Sequence, residues 1–541
     1  MIRDLGMGLR RFFFNIKNTK YIEVMKLRMI PKTKTGINGL DLITDGGLPQ
    51  GRPTLVCGGP GCGKTLFAME FIVKGATSFN EPGVFMTFEE KTSELIDNVA
   101  SLGYDLEKLR KNKKIRLDYV YIERSEIEET GSYDLDGLFI RLEHAIDSIG
   151  AKRVVLDTIE NLFSGLDNQG ILRAELRRLF HWLKEKGVTA IITAEKGDGS
   201  LTRHGLEEYV SDCVILLDHR VIDQVSTRRL RIVKYRGSAH GTNEYPFMID
   251  SDGLSVLPVT SLRLEKEVSS QRISSGIKGI DEMLGNKGFF RGSSILVSGT
   301  SGTGKTSVAA YFAGAACKRN EKCLFLAFEE SPKQIIRNMR SINLDLEKYV
   351  DSGLLQFHSS HPSEFGLEQH LVKIYKLIKT FKPKVVIIDP ITNLITVGVV
   401  RDVKSMLMRL IDILQSHGIT VMFTALAVST ATNEQSDEAI SSLVDAWLLV
   451  RTVEYYGERN RALFIMKSRG MSHSKQVREF LITDKGIELV DVVYGVNGVL
   501  IGAEREAQKF ISEKSGENIH QPLFQNVGKQ NGSNSQNKKR K

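Results

Sequence analysis

The sequence predicts an α/β chain of two tandem P-loop domains, each a mostly parallel sheet flanked by helices. Three observations carry that reading. A glycine-rich loop of the pattern G-x-x-x-x-G-K-[ST] occurs twice, at Gly58–Thr65 and Gly299–Thr306. Each loop follows a short apolar run, Thr54-Leu55-Val56-Cys57 and Ser294-Ile295-Leu296-Val297, as a buried parallel strand does when it feeds a phosphate loop. Further motifs then repeat in the same order in both halves.

The repeat begins with Thr35-Gly36-Ile37-Asn38-Gly39-Leu40-Asp41, which returns as Ser275-Gly276-Ile277-Lys278-Gly279-Ile280-Asp281. Next comes the loop itself. Its glycines Gly58, Gly61 and Gly63, and Gly299, Gly302 and Gly304, let backbone N–H groups surround a phosphate. Lys64 and Lys305 meet the outer phosphates, and the Thr65 and Thr306 hydroxyls suit a magnesium ion. Second strands at Val84–Phe88 and Cys323–Phe328 end on the glutamate pairs Glu89-Glu90 and Glu329-Glu330. A strand end turns one of two adjacent carboxylates into the cleft and the other away. A carboxylate near the γ-phosphate can draw a proton from the attacking water or hydroxyl, so the four glutamates are the candidate catalytic residues. Apolar runs then end on Asp157 and Asp389, the candidate acidic partners of magnesium. Strands at Val188–Ala194 and Ile419–Ala425 follow helices that stop near Gly187 and Gly418. Late in each half stand Lys234-Tyr235-Arg236-Gly237 and Lys467-Ser468-Arg469-Gly470. On a strand the Lys and Arg share a face, an arrangement suited to neutralising phosphate charge in a transition state.

Length and composition frame the domains. The 541 residues suit two domains of about 230–240 residues. We expect a basic extension at 1–29, with Met25 or Met29 as alternative starts, domains at 30–262 and 263–505, and a polar, disordered tail at 506–541. A linker is expected near 258–270. The net charge of +9 sits in the ends: residues 1–34 carry +7 and 506–541 carry +4, leaving the core at −2. A nucleic-acid binder places positive charge on its folded surface, so this distribution argues against DNA as a partner. Arg203-His204 is the nearest candidate contact for it. No apolar run reaches the length of a membrane span, and the five cysteines lack metal-ligand spacing, which predicts reduced thiols in a cytoplasmic protein. Cys62 lies inside the first loop, where it either fills space or makes nucleotide binding redox-sensitive.

Over nearly all of residues 30–500 the chain resembles the KaiC family of two-domain RecA-superfamily ATPases. The doubled loops, the doubled Phe-Glu-Glu and Lys-x-Arg-Gly motifs, and His240-Gly241-Thr242-Asn243-Glu244-Tyr245-Pro246-Phe247 carry the resemblance. It implies two RecA-like domains in a homo-hexameric double ring, with ATP between neighbouring subunits. It further implies that Lys234, Arg236, His240, Lys467, Arg469, His473 and Lys475 reach the neighbour's ATP. Thr242 stands where the family's first half often has lysine. The family's second domain phosphorylates itself on two adjacent hydroxyls, which match Ser441 and Ser442 within Asp437–Asp445; the first half has Glu208 and Tyr209 there. The resemblance thus implies hydrolysis in the first domain, autokinase activity in the second, ATP and Mg²⁺ as cofactors, and Kai-type or other signalling proteins as partners. The stretch from Gly495 to Arg505 departs from the family's partner-docking segment. Two other readings stay open: a RecA-like recombination or repair ATPase, and a slow nucleotide-dependent binding module.

Overall fold

The computed structural model describes residues 30–510 except 122–134, 163–168, 198, 204, 206–210, 223–224, 259–268, 398–399, 428–439, 456–457, 496–497, 501, 504 and 508–509. Most of the linker, the expected extension at 1–29, nearly all of the expected tail at 506–541, His204, Glu208, Tyr209 and the acidic residues before Ser441 therefore lie outside the described residues. The chain divides into two compact units that part between Arg263 and Leu264, except that Phe365–Lys376 groups with the first.

The first unit is built on strands β1 (Pro53–Gly58), β2 (Gly83–Thr87), β3 (Ile115–Tyr119), β4 (Arg153–Asp157), β5 (Thr189–Glu195), β6 (Cys213–Ile222), β7 (Val225–Tyr235), β8 (Glu244–Asp250) and β9 (Gly253–Val256). They form one sheet in the order β9-β8-β7-β6-β1-β5-β4-β2-β3. The run from β3 to β6 is parallel, and β7 to β9 add an antiparallel wing. Helices α1 (Lys64–Ser78), α2 (Thr92–Ala100), α3 (Asp136–Ile149) and α4 (Gln169–Glu185) connect the strands. Parallel neighbours need such crossovers, and the crossovers cover both faces. Strand alternation supplies each face: Val56 and Val155 pack with Phe67 and Phe71 of α1, while Leu55, Val154 and Leu156 pack with Leu142 of α3 and Leu176 of α4.

The second unit repeats this plan in β10 (Ser294–Gly299), β11 (Cys323–Ala327), β12 (Leu355–Ser359), β13 (Val385–Asp389), β14 (Thr420–Leu426), β15 (Ala446–Tyr455), β16 (Glu458–Ser468), β17 (Arg478–Thr483) and β18 (Gly486–Asp491). Its order, β12-β11-β13-β14-β10-β15-β16-β17-β18, is the first sheet's order strand for strand. Helices α5 (Lys305–Lys318), α6 (Pro332–Arg340), α7 (Leu367–Phe381) and α8 (Val400–Ser416) take the places of α1 to α4. The expected α/β architecture is borne out in both units. Among the described residues no helix is long and apolar enough to cross a membrane.

The units differ where polar groups are buried. At the head of β4 Arg153 is fully buried, a residue the apolar reading of that strand does not foresee. Its guanidinium donates to Glu81 Oε2 at 2.7 Å, Phe71 O at 2.8 Å and Lys34 O at 2.7 Å, and lies 4.4 Å from the Phe71 ring. Gly75 on α1 leaves it room, since a Cβ there would stand 2.5 Å from Arg153 Cδ. The second unit has Val385 at this place. Arg153→Ala strands one carboxylate and two carbonyls, so it is expected to destabilise the first unit by about 3 kcal/mol or more. Urea unfolding followed by Trp182 fluorescence in a Trp447→Phe background measures it; an unchanged midpoint would contradict the assignment.

Candidate functional sites

Each phosphate loop springs from the carboxyl end of the central strand, β1 or β10, and leads into α1 or α5. In doubly wound sheets ligands bind at that end. Steric space explains the glycines. A Cβ on Gly58 would stand 2.4 Å from Leu217 O, and one on Gly299 2.3 Å from Val450 O. Gly63 and Gly304 hold φ of 101° and 95° at the helix starts, where a side chain would also meet Ile249 and Ile482 at 2.6 Å. Beside Gly61 and Gly302 nothing lies within 4 Å, so the concave side of the loop is open. An open loop of N–H groups at a helix N-terminus is an anion site.

The lysines lie over these loops, both buried. Lys64 Nζ donates to Gly58 O at 2.9 Å and Gly59 O at 3.1 Å; Lys305 Nζ donates to Thr300 O at 2.7 Å. Burial pulls the Lys305 ammonium below its ordinary pKa, against the pull of Asp389 and Glu329. Asp157 and Asp389 are buried at the ends of β4 and β13. Burial pushes both carboxyls up, opposed by hydrogen bonds from Thr193 and Thr65 to Asp157, and from Thr424 and Thr306 to Asp389. A buried carboxyl and a neighbouring threonine hydroxyl form a hard-oxygen donor set, beside a buried ammonium under an open loop. It fits a divalent cation carried by nucleotide phosphates.

The glutamate pairs correct one step of the sequence argument. The strands stop at Thr87 and Ala327, and each pair lies in the bend that follows, so strand alternation does not orient it. Local hydrogen bonds do. Glu90 accepts from Asn98 Nδ2 of α2 at 3.2 Å, and Glu330 from Asn338 Nδ2 of α6 at 3.1 Å. Glu89 is exposed and accepts from Thr158 Oγ1, next to Asp157, at 3.4 Å. Glu329 is exposed and close enough to act electrostatically on Lys305 and Asp389. Burial raises Glu330 above the usual carboxylate value, with Asp389 and Glu329 adding to the shift.

Strand register separates the Lys-x-Arg pairs from the loops of their own unit. Lys234 on β7 pairs with Val214, which pairs with Leu55, three residues before Gly58. Lys467 on β16 pairs with Trp447, which pairs with Leu296, three residues before Gly299. At about 3.3 Å per residue the lysines stand about 10 Å back toward the amino ends of the parallel strands. Arg236 and Arg469 are not on the strand, as expected from sequence, but in the turn after it. Both are exposed. His240 and His473 follow, each ring Nδ1 3.4 Å from a backbone carbonyl, Ser238 O and Met471 O; Lys475 is exposed.

The serine pair precedes β15 and so shares that amino end. Ser441 is buried and Ser442 exposed. Lys467 Nζ donates to Ser441 O and Arg469 Nη2 to Ser442 O, both at 2.8 Å. The expected phospho-acceptor segment and the expected charge-neutralising pair are thus one cluster.

Sequence reasoning missed an arginine. Arg461 of β16 donates from Nε to Gly302 O of the phosphate loop at 3.3 Å. Arg228 holds the matching place on β7 and acts on Cys62 in the first loop. An arginine six residues before the lysine of Lys-x-Arg-Gly in both halves was the available signal. Cys62 itself is fully buried, and its thiol is pushed up by that burial, so it fills space as Thr303 does in the second loop.

With this geometry in view the comparisons with known proteins are specific. A family model described as "ATPase: KaiC" matches twice, at residues 33–261 and 273–494. The chain belongs to the KaiC family. It is 57% identical over 476 residues to the circadian clock protein KaiC2 of Synechocystis sp., covering 88% of this chain and 84% of that protein. It is 38% identical over 485 residues to the circadian clock oscillator protein KaiC of Parathermosynechococcus lividus, covering 89% of each. With the KaiC of Synechococcus elongatus it shares 37% over 478 residues, covering 88% and 92%. The chain is therefore a KaiC-type ATPase with an ATP-binding loop in each half.

Asp389 gives a test of the second loop. Its raised pKa means that the charged carboxylate destabilises the nucleotide-free fold at neutral pH. Asp389→Asn is expected to raise the thermal midpoint without nucleotide at pH 7, by less as the pH falls toward the ordinary value of 3.8, while removing Mg²⁺-dependent ATP binding there. Calorimetry across pH and nucleotide titration of the Lys64→Ala background read the two effects. A lower midpoint at pH 7 would contradict the electrostatic reading.

Proposed function

We propose that the chain hydrolyses ATP in its first unit and phosphorylates Ser441 and Ser442 in its second. It does so as a cytoplasmic homo-hexameric double ring serving timing or signal transduction. The observation that supports this reading most is the register of the two sheets. The phosphate loop, Asp and Glu of each unit lie at the carboxyl ends of its strands. Its Lys-x-Arg pair, and in the second unit its serines, lie toward the amino ends. Neither group reaches the nucleotide of its own unit, so both act on that of a neighbouring copy.

In the mechanism Lys64 and Lys305 release the loop carbonyls and meet the outer phosphates. Thr65 with Asp157, and Thr306 with Asp389, would hold Mg²⁺, which when bound neutralises charge between the phosphate oxygens. Arg228 and Arg461 flank the loop from the same unit. Lys234 and Arg236, or Lys467 and Arg469, approach from the neighbour with His240, His473 and Lys475 and stabilise charge on the transferred group. Glu89 takes a proton from water. Glu329 takes one from the neighbour's serine hydroxyl; the serine oxygen bonds to the γ-phosphorus as its bond to the β–γ bridging oxygen breaks, and ADP leaves. Glu90 and Glu330, tied to Asn98 and Asn338, hold the bend in place. Ser442 is the first acceptor because it is exposed where Ser441 is buried. The relatives' names as circadian clock proteins support a timing role with Kai-type partners.

Mixing two inactive variants tests the reading. Lys305→Ala supplies serines without a loaded second site, and Ser441→Ala/Ser442→Ala supplies the site without serines. Phosphopeptide analysis is expected to find phosphate in neither alone, and on the Lys305→Ala chains once the two are co-assembled with Mg-ATP. Phosphate on neither chain after mixing would sink transfer between copies.

A further inference from the structure

The arginine that follows each strand, Arg236 or Arg469, stands beside a carboxylate whose other partners differ between the two units. In the first unit Asp212 lies buried just before β6. Its carbonyl accepts from Arg236 N at 2.9 Å. Its carboxylate gathers three cations from three segments: Lys184 Nζ of α4 at 2.7 Å, Arg236 Nη1 at 3.5 Å, and Arg52 Nη1, just before β1, at 3.8 Å.

The second unit keeps the carboxylate, Asp445, and the carbonyl contact, Arg469 N to Asp445 O at 2.8 Å. Of the three cations it keeps the arginine alone. Gln415 stands in the place of Lys184, and Ser293 in that of Arg52. Asp445 is satisfied by neutral donors instead: Ser294 N at 2.9 Å, Ser294 Oγ at 2.8 Å and Gln415 Nε2 at 3.3 Å. Arg469 Nη1 stands 3.9 Å away, and its other terminal nitrogen goes to Ser442 O. A cavity of about 1170 Å³ bordered by Asp445, Gln415 and Arg469 opens here.

We infer that Asp212 is a positioning residue of the first, hydrolytic site: it presets Arg236 for the neighbour's nucleotide. Lys184 and Arg52 share its charge with the arginine. With Lys184 as the nearest cation, the Arg236 guanidinium is steered at 3.5 Å and its side chain stays 53% exposed. Arg469 has a longer approach to Asp445 and is also tied to the carbonyl of Ser442, so the second site is linked to its serine pair. The inference rests on the reading that Arg236 acts on a neighbour's ATP.

The test is made on the full chain with Lys305→Ala, so that only first-site turnover is read. Asp212→Asn is expected to lower kcat about ten- to a hundredfold with KM nearly unchanged. Rings stay intact by light scattering, and the effect disappears in an Arg236→Ala background, where there is nothing left to aim. Equal losses from Asp212→Asn with and without Arg236 would overturn the inference and make Asp212 a structural residue. Full turnover by Arg236→Ala itself would overturn the reading beneath it, whatever Asp212 does.

Discussion

The polarity of a parallel sheet is the constraint on which the rest of this molecule depends. All parallel strands end on one side, so groups carried by strand ends collect there: the phosphate loop, the aspartate and the glutamate bend. The antiparallel β7 and β16 run back the other way and deliver their last residues, Lys234 and Lys467 with the arginines beyond, toward the opposite end. Within one unit these two groups are therefore set apart along the sheet. Packing keeps it so, because both faces of each sheet are filled by helices and close-packed aliphatic side chains, leaving little slack for the strands to slide.

Much of this was legible in the sequence because it rests on backbone requirements. A loop that must hold φ near +100° and run where a Cβ would stand 2.4 Å from a carbonyl oxygen needs glycine, and the glycines showed the loops. The strands could be read from apolar runs, since a parallel strand buried on both faces has little choice of residue. Three things could not be read. The glutamate pairs looked like strand ends, but hydrogen bonding from Asn98 and Asn338 orients them, and those partners sit one helix away. Arg461 carries no motif of its own; only the register of β16 brings it to Gly302. Arg153 precedes an apolar run with nothing in the sequence to mark it as buried, because its partners come from residues 34, 71 and 81.

Duplication has left the geometry intact and let the polar interior diverge. Val385 replaces Arg153, and neutral donors replace the cations around Asp212, while the loops, acids and Lys-x-Arg turns keep their places. A buried charge satisfied on all sides fixes a local conformation; a neutral cluster beside an open cavity holds its neighbours less tightly. In the second unit the serine segment and the Lys467 and Arg469 side chains are joined by hydrogen bonds.

In the proposed ring, a loop and an arginine at opposite ends of one sheet also bear on inheritance. Contact through them would be head-to-tail, with no two-fold axis, and each chain would serve one site with its loop and another with its arginine. A cell that makes two versions of the protein would then build mosaics. A chain lacking only its loop silences one site of its unit's ring, and so does a chain lacking only its arginine. A chain lacking both silences two, so its harm is out of proportion to its abundance. Conversely, two differently damaged chains restore function wherever an intact loop falls beside an intact arginine, so that defects at the two ends of the sheet complement each other and defects at the same end do not.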